Sequence, residues 1–313
     1  MYITMKTYRY ITLAAMALTF AACSQDEDFD PQTDSDAVRI SATIGTMPQT
    51  RLAYGTGDYN GEEATTFTEG DQIRVQNTKR TTKNIATYKL DADEKTWTIA
   101  DGALVWNGSS ANQFQAWYPA NENDSYDSFK LPTDQSSDVL LAAADWMTAS
   151  TDEMAKPTDG TINLAFQHLL TMVTIKISMW GTEYPAAEQS ISDVKIHTIT
   201  TSIGKDSEGN AVNKDISSTG IIPLHKEVSG TNSYTAIVCP GKYADNDEVM
   251  TLTVNKQDKL TVFANKELTD NGLLPGKHYT FHLKVGKEKW TLIHTTTDNL
   301  PGGWKNDSEV DLN

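Results

Sequence analysis

The chain has 313 residues and a net charge of −16, with 26 Lys and Arg against 42 Asp and Glu. This acidic balance argues against nucleic acid and anionic lipid surfaces as partners, since both attract clustered basic residues. Its two cysteines are too few for a disulfide framework or a cysteine-rich zinc site, and its length predicts two domains.

Residues 1–22 have the pattern of a signal peptide. Lys6 and Arg9 form a basic start, and the weakly apolar run 11–22 is shorter than the roughly 20 residues of a membrane span. The small residues before Cys23 resemble the lipobox of bacterial lipoproteins, in which the cysteine thiol carries lipid with palmitate-type chains. We therefore predict lipid attachment at Cys23. The alternative is an ordinary secretory signal with an incidental cysteine.

Residues 23–36 carry six acids and no base: Asp26, Glu27, Asp28, Asp30, Asp34 and Asp36. Such a segment is typical of a solvated, self-repelling tether between a lipid and a fold. An acidic tract directly after a lipidated cysteine also resembles the export signal of surface lipoproteins in Bacteroides-type bacteria. The two interpretations are compatible, and the resemblance to the export signal implies a surface-exposed protein of the cell outer membrane, held there by a lipid anchor.

Beyond residue 36, apolar and polar residues alternate with the period of strands that bury one face. The first such strand carries Val38, Ile40, Ala42 and Ile44. The polar stretch 148–160 contains Pro157 and Gly160 and suggests a linker. We therefore predict an all-β fold with an N-terminal β-sandwich over residues 37–157 and a C-terminal β-sandwich over residues 158–313.

Four tryptophans fall in the first half of the chain: Trp97, Trp106, Trp117 and Trp146. They either form a stacking platform for a glycan or fill the core of the sandwich. We favour the core, because a ring of this kind buries about 150–250 Å².

The sequence lacks the patterns of catalytic and metal sites, such as H-E-x-x-H or G-x-S-x-G. His278 and His282 stand four residues apart in a strand pattern, about 13 Å from each other, which is too far to share one metal ion. Cys239 follows an apolar run and is interpreted as a buried thiol. We therefore predict no enzyme activity, no catalytic residues, no metal site and no cofactor.

Several segments, taken in order, resemble the fimbrillin family, the subunits and accessory lipoproteins of type V pili. They are the lipobox, residues 38–44 followed by Arg51, FTEGDQIRV at 67–75, AWYP at 116–119, LAFQHLLTMV at 164–173 and PGKHYTF at 275–281. Thr171 and Met172 depart from the alanine and basic residue that are common there. The resemblance implies two tandem transthyretin-like antiparallel β-sandwich domains and a structural role for His168.

The resemblance also implies a route of assembly. A precursor lipoprotein reaches the outer membrane, an arginine-specific protease cuts after the first strand, and a strand from another subunit replaces it. The expected cut lies between Arg51 and Leu52, and the removable strand carries Val38, Ile40, Ala42 and Ile44. Burial of three of these side chains contributes about 4–9 kcal/mol, against about 5–15 kcal/mol for a whole domain. The groove left behind is therefore an assembly site for strand addition.

The resemblance thus predicts a pilus subunit that supports cell adhesion, located in the fimbrium after processing. Its partners would be other pilus subunits, the maturation protease and the outer membrane. Residues 306–313 offer little length for a donor strand, so a tip or accessory role competes with a shaft role. The alternative is a monomeric surface lipoprotein that keeps its lipid and binds a glycan or host ligand.

Overall fold

The computed structural model describes residues 36–45, 66–108, 110–121, 123–228, 231–286 and 291–297. The predicted signal peptide, Cys23, Arg51, Leu52 and the C-terminal residues 306–313 lie outside the described residues. Within the described ranges, no helix has the length and apolar character needed to cross a membrane.

The described chain is built almost entirely of strands. In chain order they are β1 Arg39–Ile44, β2 Gln72–Asn77, β3 Asn84–Leu90, β4 Trp97–Leu104, β5 Phe114–Tyr118, β6 Ser128–Lys130, β7 Met147–Ser150, β8 Thr161–His168, β9 Thr171–Trp180, β10 Ile191–Thr198, β11 Ser202–Lys205, β12 Ala211–Asp215, β13 Thr219–Ile221, β14 Leu224–Val228, β15 Thr231–Val238, β16 Glu248–Val254, β17 Asp258–Phe263, β18 His278–Val285 and β19 Thr291–Thr297. Two short α-helices, α1 Asp138–Ala142 and α2 Lys266–Asp270, and the 3₁₀ turn Ala186–Glu188 accompany them. The predicted all-β class is confirmed.

The N-terminal half forms a seven-stranded sheet in the order β1-β8-β7-β5-β2-β3-β4. All of its pairings are antiparallel except the one between β1 and β8, which is parallel. The alternation on β2 sends Ile73 and Val75 inward, where they pack with the aromatic rings of Trp106, Phe114 and Phe166 in one core cluster. We call this cluster the first core.

The remaining strands form sheets of five strands (β14-β15-β9-β18-β19), four strands (β13-β10-β16-β17) and three strands (β12-β11-β6). Here too one pairing is parallel, between β9 and β18. These sheets enclose a second cluster of buried side chains, the second core, which includes Ile175, Leu252 and Leu283. Strand β9 lies between β15 and β18 and is buried on both faces at its start.

The boundary between the two cores does not fall at residue 157, where the sequence placed the end of the first domain. Strand β8 lies beyond that point, yet it is a member of the N-terminal sheet, and its residue Phe166 packs in the first core. Conversely, Phe129 and Trp146 precede that point and stack on each other in the second core, with ring centroids 5.7 Å apart. The polar stretch 148–160 covers most of β7 and the connection to β8, two neighbouring strands of one sheet. Its composition marks a solvent-exposed connection within that sheet.

The four tryptophans singled out from the sequence are all buried. Trp97 and Trp106 belong to the first core and Trp146 to the second, and Trp117 is covered on β5. None of them presents its ring to solvent as a stacking platform would. This placement favours the core interpretation over the glycan platform.

Candidate functional site

The first strand lies at the edge of the seven-stranded sheet and supplies side chains to the first core. Val38, Ile40 and Ile44 are 2%, 7% and 5% exposed. Ala42 on the same face is partly covered, whereas Arg39, Ser41 and Thr43 on the other face are exposed. The alternation of the sequence therefore corresponds to one buried and one solvated face of β1.

Along its length, β1 is held by a single neighbour in the sheet. It pairs in parallel with β8, from Arg39 opposite Thr161 to Ile44 opposite Phe166. After the strand, the backbone N–H of Gly45 donates to the carbonyl of Phe166 over 2.7 Å. The other backbone edge of β1 has no strand partner over residues 39–44 in the described part of the chain.

The residues directly before β1 are hydrogen-bonded to the end of β4, at the opposite edge of the sheet. The N–H of Val38 donates to the carbonyl of Leu104 over 3.0 Å, and the N–H of Trp106 donates to the carbonyl of Asp36 over 2.9 Å. An antiparallel bridge between Ala37 and Val105 lies between these two bonds. The segment 36–38 thus joins β1 to the end of β4 and draws the two edges of the sheet together.

A tyrosine of the first core also binds the segment that begins the first strand. The hydroxyl of Tyr88 on β3 donates to the carbonyl of Val38 over 2.7 Å, and the ring is fully buried. Burial raises the pKa of Tyr88 well above its ordinary value, because the phenolate form would be desolvated. The hydroxyl therefore stays protonated and remains a donor.

Removal of residues 36–45 would leave several groups without these partners. The backbone N–H of Trp106, the carbonyls of Leu104 and Phe166 and the hydroxyl of Tyr88 would each lose a hydrogen bond. Each buried polar group left unpaired costs about 1–3 kcal/mol. The apolar groove and the free edge of β8 would be exposed at the same time. The site that β1 occupies therefore has to be filled by a strand, either β1 itself or one from another chain.

A pocket of about 380 Å³ lies where β1 ends. Its wall includes Ile44 at the end of the strand, together with Phe67, Asp71, Tyr118 and Val139. Phe67 packs edge-on against Phe166, the ladder partner of Ile44, with ring centroids 5.3 Å apart. The pocket thus continues the groove in which β1 lies.

Asp71 is a carboxylate on the wall of this pocket, and its surroundings shift its pKa. Burial raises its pKa, while hydrogen bonds from the N–H of Thr68 at 2.7 Å and the hydroxyl of Tyr118 at 3.2 Å oppose this effect. The nearby charge of Asp145 raises the pKa further. The donors that hold the Asp71 carboxylate are thus neutral groups.

Asp145 also lines the pocket and binds His168, the last residue of β8. The Nδ1 atom of His168 lies 2.8 Å from the Oδ1 atom of Asp145, and both side chains are buried. His168 pairs in the ladder with Met147 of β7, another residue of the pocket wall. This arrangement fastens the end of β8 to the turn before β7 and supports the structural role expected of His168.

The predicted processing residues cannot be located, because Cys23, Arg51 and Leu52 lie outside the described residues. The described chain stops at Gly45 and resumes at Thr66, and Arg51 belongs to the interval. The other candidates behave as components of the fold. His278 is buried with Nε2 2.9 Å from the hydroxyl of Thr174, and Cys239 is a buried free thiol. No group of three metal-ligating side chains occurs among the residues that the structure describes.

Sequence reasoning did not find the partner of β1 or the pocket. The pairing of β1 with β8 joins segments about 120 residues apart, and no local pattern specifies it. Asp71 was noted only as part of the FTEGDQIRV segment. Asp71 stands directly before β2 and three residues after Thr68. This spacing is the one signal in the sequence for a carboxylate that accepts a hydrogen bond from the preceding turn.

The sequence profile of the fimbrillin-like family matches residues 50–299. The chain belongs to the fimbrillin-like family. This confirms the resemblance drawn from the motifs. The fimbrillin-like family is a structural one, and this member of it is not an enzyme. Among curated proteins, none matches the sequence.

Solved structures show the same fold as this fimbrillin-like chain. A candidate cell adhesion protein from Bacteroides uniformis is 18% identical with a TM-score of 0.58, and the match covers 85% of this chain and 97% of the other. A candidate cell adhesion protein from Bacteroides ovatus is 13% identical with a TM-score of 0.59, and the match covers 87% and 99%. At such identities the similarity establishes the fold.

Proposed function

We propose that this fimbrillin-like protein is a pilus subunit that is exported as a lipoprotein precursor, cleaved after Arg51 and assembled by strand exchange. Lipid on Cys23 holds the precursor at the cell outer membrane. An arginine-specific protease then separates residues 1–51 from the rest of the chain, and a strand of another subunit takes the seat of β1. The assembled fimbrium supports cell adhesion, the activity named for the related solved structures.

The way in which β1 is held at the edge of the sheet is the observation that supports this proposal. Ile40 and Ile44 of β1 and the preceding Val38 are buried in the first core, yet the backbone of β1 pairs along its length with β8 alone. A strand held in this way can be exchanged for another of the same alternation without rearrangement of the other six strands of the sheet. Main-chain hydrogen bonds then supply affinity, and the pockets for alternate side chains supply specificity.

Processing is tested by N-terminal sequencing of protein sheared from cells that produce the full chain. We expect Leu52 as the first residue in high-mass material. In the Arg51→Lys variant the charge is kept, but the expected cleavage position no longer offers an arginine, so the protein should remain a lipidated precursor outside the polymer. Arg39→Lys is the matched control, since Arg39 lies on the exposed face of β1, and it should be processed like the wild type.

Two outcomes would contradict the proposal. One is a lipidated chain on assembled fibres in which Cys23 and Leu52 are still joined. The other is normal assembly of the Arg51→Lys variant. A lipidated, uncleaved monomer as the only surface form would instead support the alternative, a surface lipoprotein that binds a glycan or host ligand.

A further inference from the structure

We propose that the pocket at the end of β1 receives a long basic side chain, lysine or arginine, from the strand that replaces β1. In the incoming strand, this basic residue stands two positions after the residue that takes the place of Ile44 in the ladder with β8. This inference rests on the proposed strand exchange and identifies the partner strand by its register and its chemistry.

The register of the ladder leads directly to the pocket. Ile40, Ala42 and Ile44 lie opposite Ile162, Leu164 and Phe166 of β8. Two further residues in the same parallel register would reach the level of His168, which ends β8. Because side chains alternate with a period of two, that residue would point to the same face as Ile44.

The neighbours of His168 form one wall of the pocket. Met147 pairs with His168 in the antiparallel ladder of β7 and β8, and Asp145 binds the His168 ring at 2.8 Å. Both Met147 and Asp145 line the pocket, as does Ile44. A side chain two residues beyond the Ile44 position would therefore enter the pocket.

In this chain β1 ends before that point. Gly45 follows Ile44 with a φ of 73°, a left-handed conformation that glycine adopts readily and that breaks the extended strand. A donor strand that stays extended at the Gly45 position would instead continue along β8. The incoming strand can thus make a contact that β1 does not make.

The shape of the pocket suits a long side chain with a polar end. Phe67, Pro119, Val139 and Met147 provide apolar walls, and Val139 at the mouth is 78% exposed. Lysine and arginine bury their aliphatic stems along such walls and place the charged group at polar partners. The volume of about 380 Å³ is sufficient for either side chain.

The charges select a cation. Three carboxylates, those of Asp71, Asp138 and Asp145, line the pocket, and its lining residues include no lysine or arginine. Asp138 already pairs with Lys226 over 2.9 Å and Asp145 with His168 over 2.8 Å, so Asp71 is the carboxylate that an incoming cation would bind. Asp71 receives hydrogen bonds from Thr68 and Tyr118, which carry no charge. A cationic group would add a charge-assisted hydrogen bond, whereas a glutamate would be repelled.

The test uses the full chain with Cys23→Ser, cleaved at Arg51 with an arginine-specific protease, and peptides that compete with β1. Each peptide has the sequence of residues 37–44, then threonine in place of Gly45 to keep it extended, then lysine, norleucine or glutamate. Displacement of β1 is followed by fluorescence anisotropy of the labelled peptide. We expect the lysine peptide to bind about tenfold more tightly than the norleucine peptide, and the glutamate peptide to bind most weakly.

Variants show whether the preference arises in the pocket. Asp71→Asn should reduce the ratio of lysine to norleucine affinity towards one. Asp124→Asn changes a buried carboxylate that does not line the pocket, and it should keep the ratio. Equal binding of the three peptides would overturn the inference and leave strand exchange intact. If none of the peptides displaced β1, strand exchange itself would be contradicted and the inference with it.

Discussion

Tyr88 reaches across the first core to the first strand, where its hydroxyl donates to the carbonyl of Val38 over 2.7 Å. Strand β3, which carries Tyr88, is not a neighbour of β1 in the sheet. The bond therefore adds an attachment that the ladder with β8 does not provide. It also supplies a hydrogen-bond donor to the carbonyl of a buried residue.

The first prediction concerns this bond. In Tyr88→Phe the carbonyl of Val38 loses its donor, and we expect the first strand to be held less firmly by about 1–3 kcal/mol. Hydrogen exchange of the segment 36–45, measured by mass spectrometry, should become roughly five- to 150-fold faster. Tyr243→Phe is the matched control, because the Tyr243 hydroxyl donates to the carbonyl of His197 over 2.6 Å and its ring packs in the second core. That variant should leave exchange of the first strand unchanged, and an equal effect of both variants would refute the assignment.

The second prediction separates the two faces of β1. Ile40→Ala removes a buried side chain from the first core, so the free energy of unfolding of the N-terminal sheet should fall by about 2–5 kcal/mol. Ser41→Ala changes the neighbouring exposed residue and should stay within about 0.5 kcal/mol of the wild type. Urea unfolding of the precursor, followed by tryptophan fluorescence, measures both. Comparable losses in the two variants would show that β1 is not seated as described.

The contrast between these two residues marks what the sequence alone could predict. The period of two at Val38, Ile40 and Ile44 is a local property, and it predicted which face of the first strand is buried. The strand partner is not a local property, since the pattern on β1 is compatible with either direction and with any neighbour of similar alternation. The parallel pairing with β8 therefore came from the structure.

The same reasoning explains the boundary expected at residue 157. Proline, glycine and polar residues in 148–160 indicate a solvent-exposed connection, but they do not tell whether the strands on either side share a sheet. Here β7 and β8 do share one. The assignment of Trp146 to the second core likewise depends on contacts with Phe129 that no spacing reveals.

The third prediction is a pH dependence that originates at Asp71. Burial raises the pKa of Asp71 in the folded protein above the ordinary value of 3.8, so the folded state holds this proton more tightly than the unfolded state. Its contribution to stability should therefore fall as the pH rises from 3.8 through the raised pKa, and remain constant above it. In urea unfolding at a series of pH values, Asp71→Asn should lack this decline relative to the wild type.

Asp93 provides a control of opposite sign. Hydrogen bonds from the side chain and N–H of Thr96 and from the N–H of Lys95 lower the pKa of Asp93 to about 2. Its contribution is present above pH 3.8 and is lost as the pH falls towards 2. Asp93→Asn should therefore lose stability relative to the wild type above pH 3.8. If the difference in stability between variant and wild type changed with pH in the same direction for both variants, both assignments would be contradicted.

The fourth prediction uses Cys239 as a reporter of the second core. Burial raises the pKa of this thiol to about 12, partly offset by its hydrogen bond with Thr198. In the Cys23→Ser chain at pH 8, we expect no reaction with Ellman's reagent until urea unfolds the protein. Cleavage at Arg51 should not change this, because Cys239 packs among residues of the second core. Rapid labelling of the native protein would contradict its burial.

The parallel ladder has a further consequence for how the protein acquires its fold. Arg39 and Asp159, whose side chain and carbonyl lie 3.4 Å apart, are separated by 120 residues. Closing so long a loop carries an entropic cost before the ladder repays it. At a synthesis rate of about 5–20 residues per second, β8 leaves the ribosome roughly 6–24 seconds after β1. We expect the leading segment to join the N-terminal sheet after the other strands have begun to associate, so these strands would already be in place when the proposed exchange replaces it.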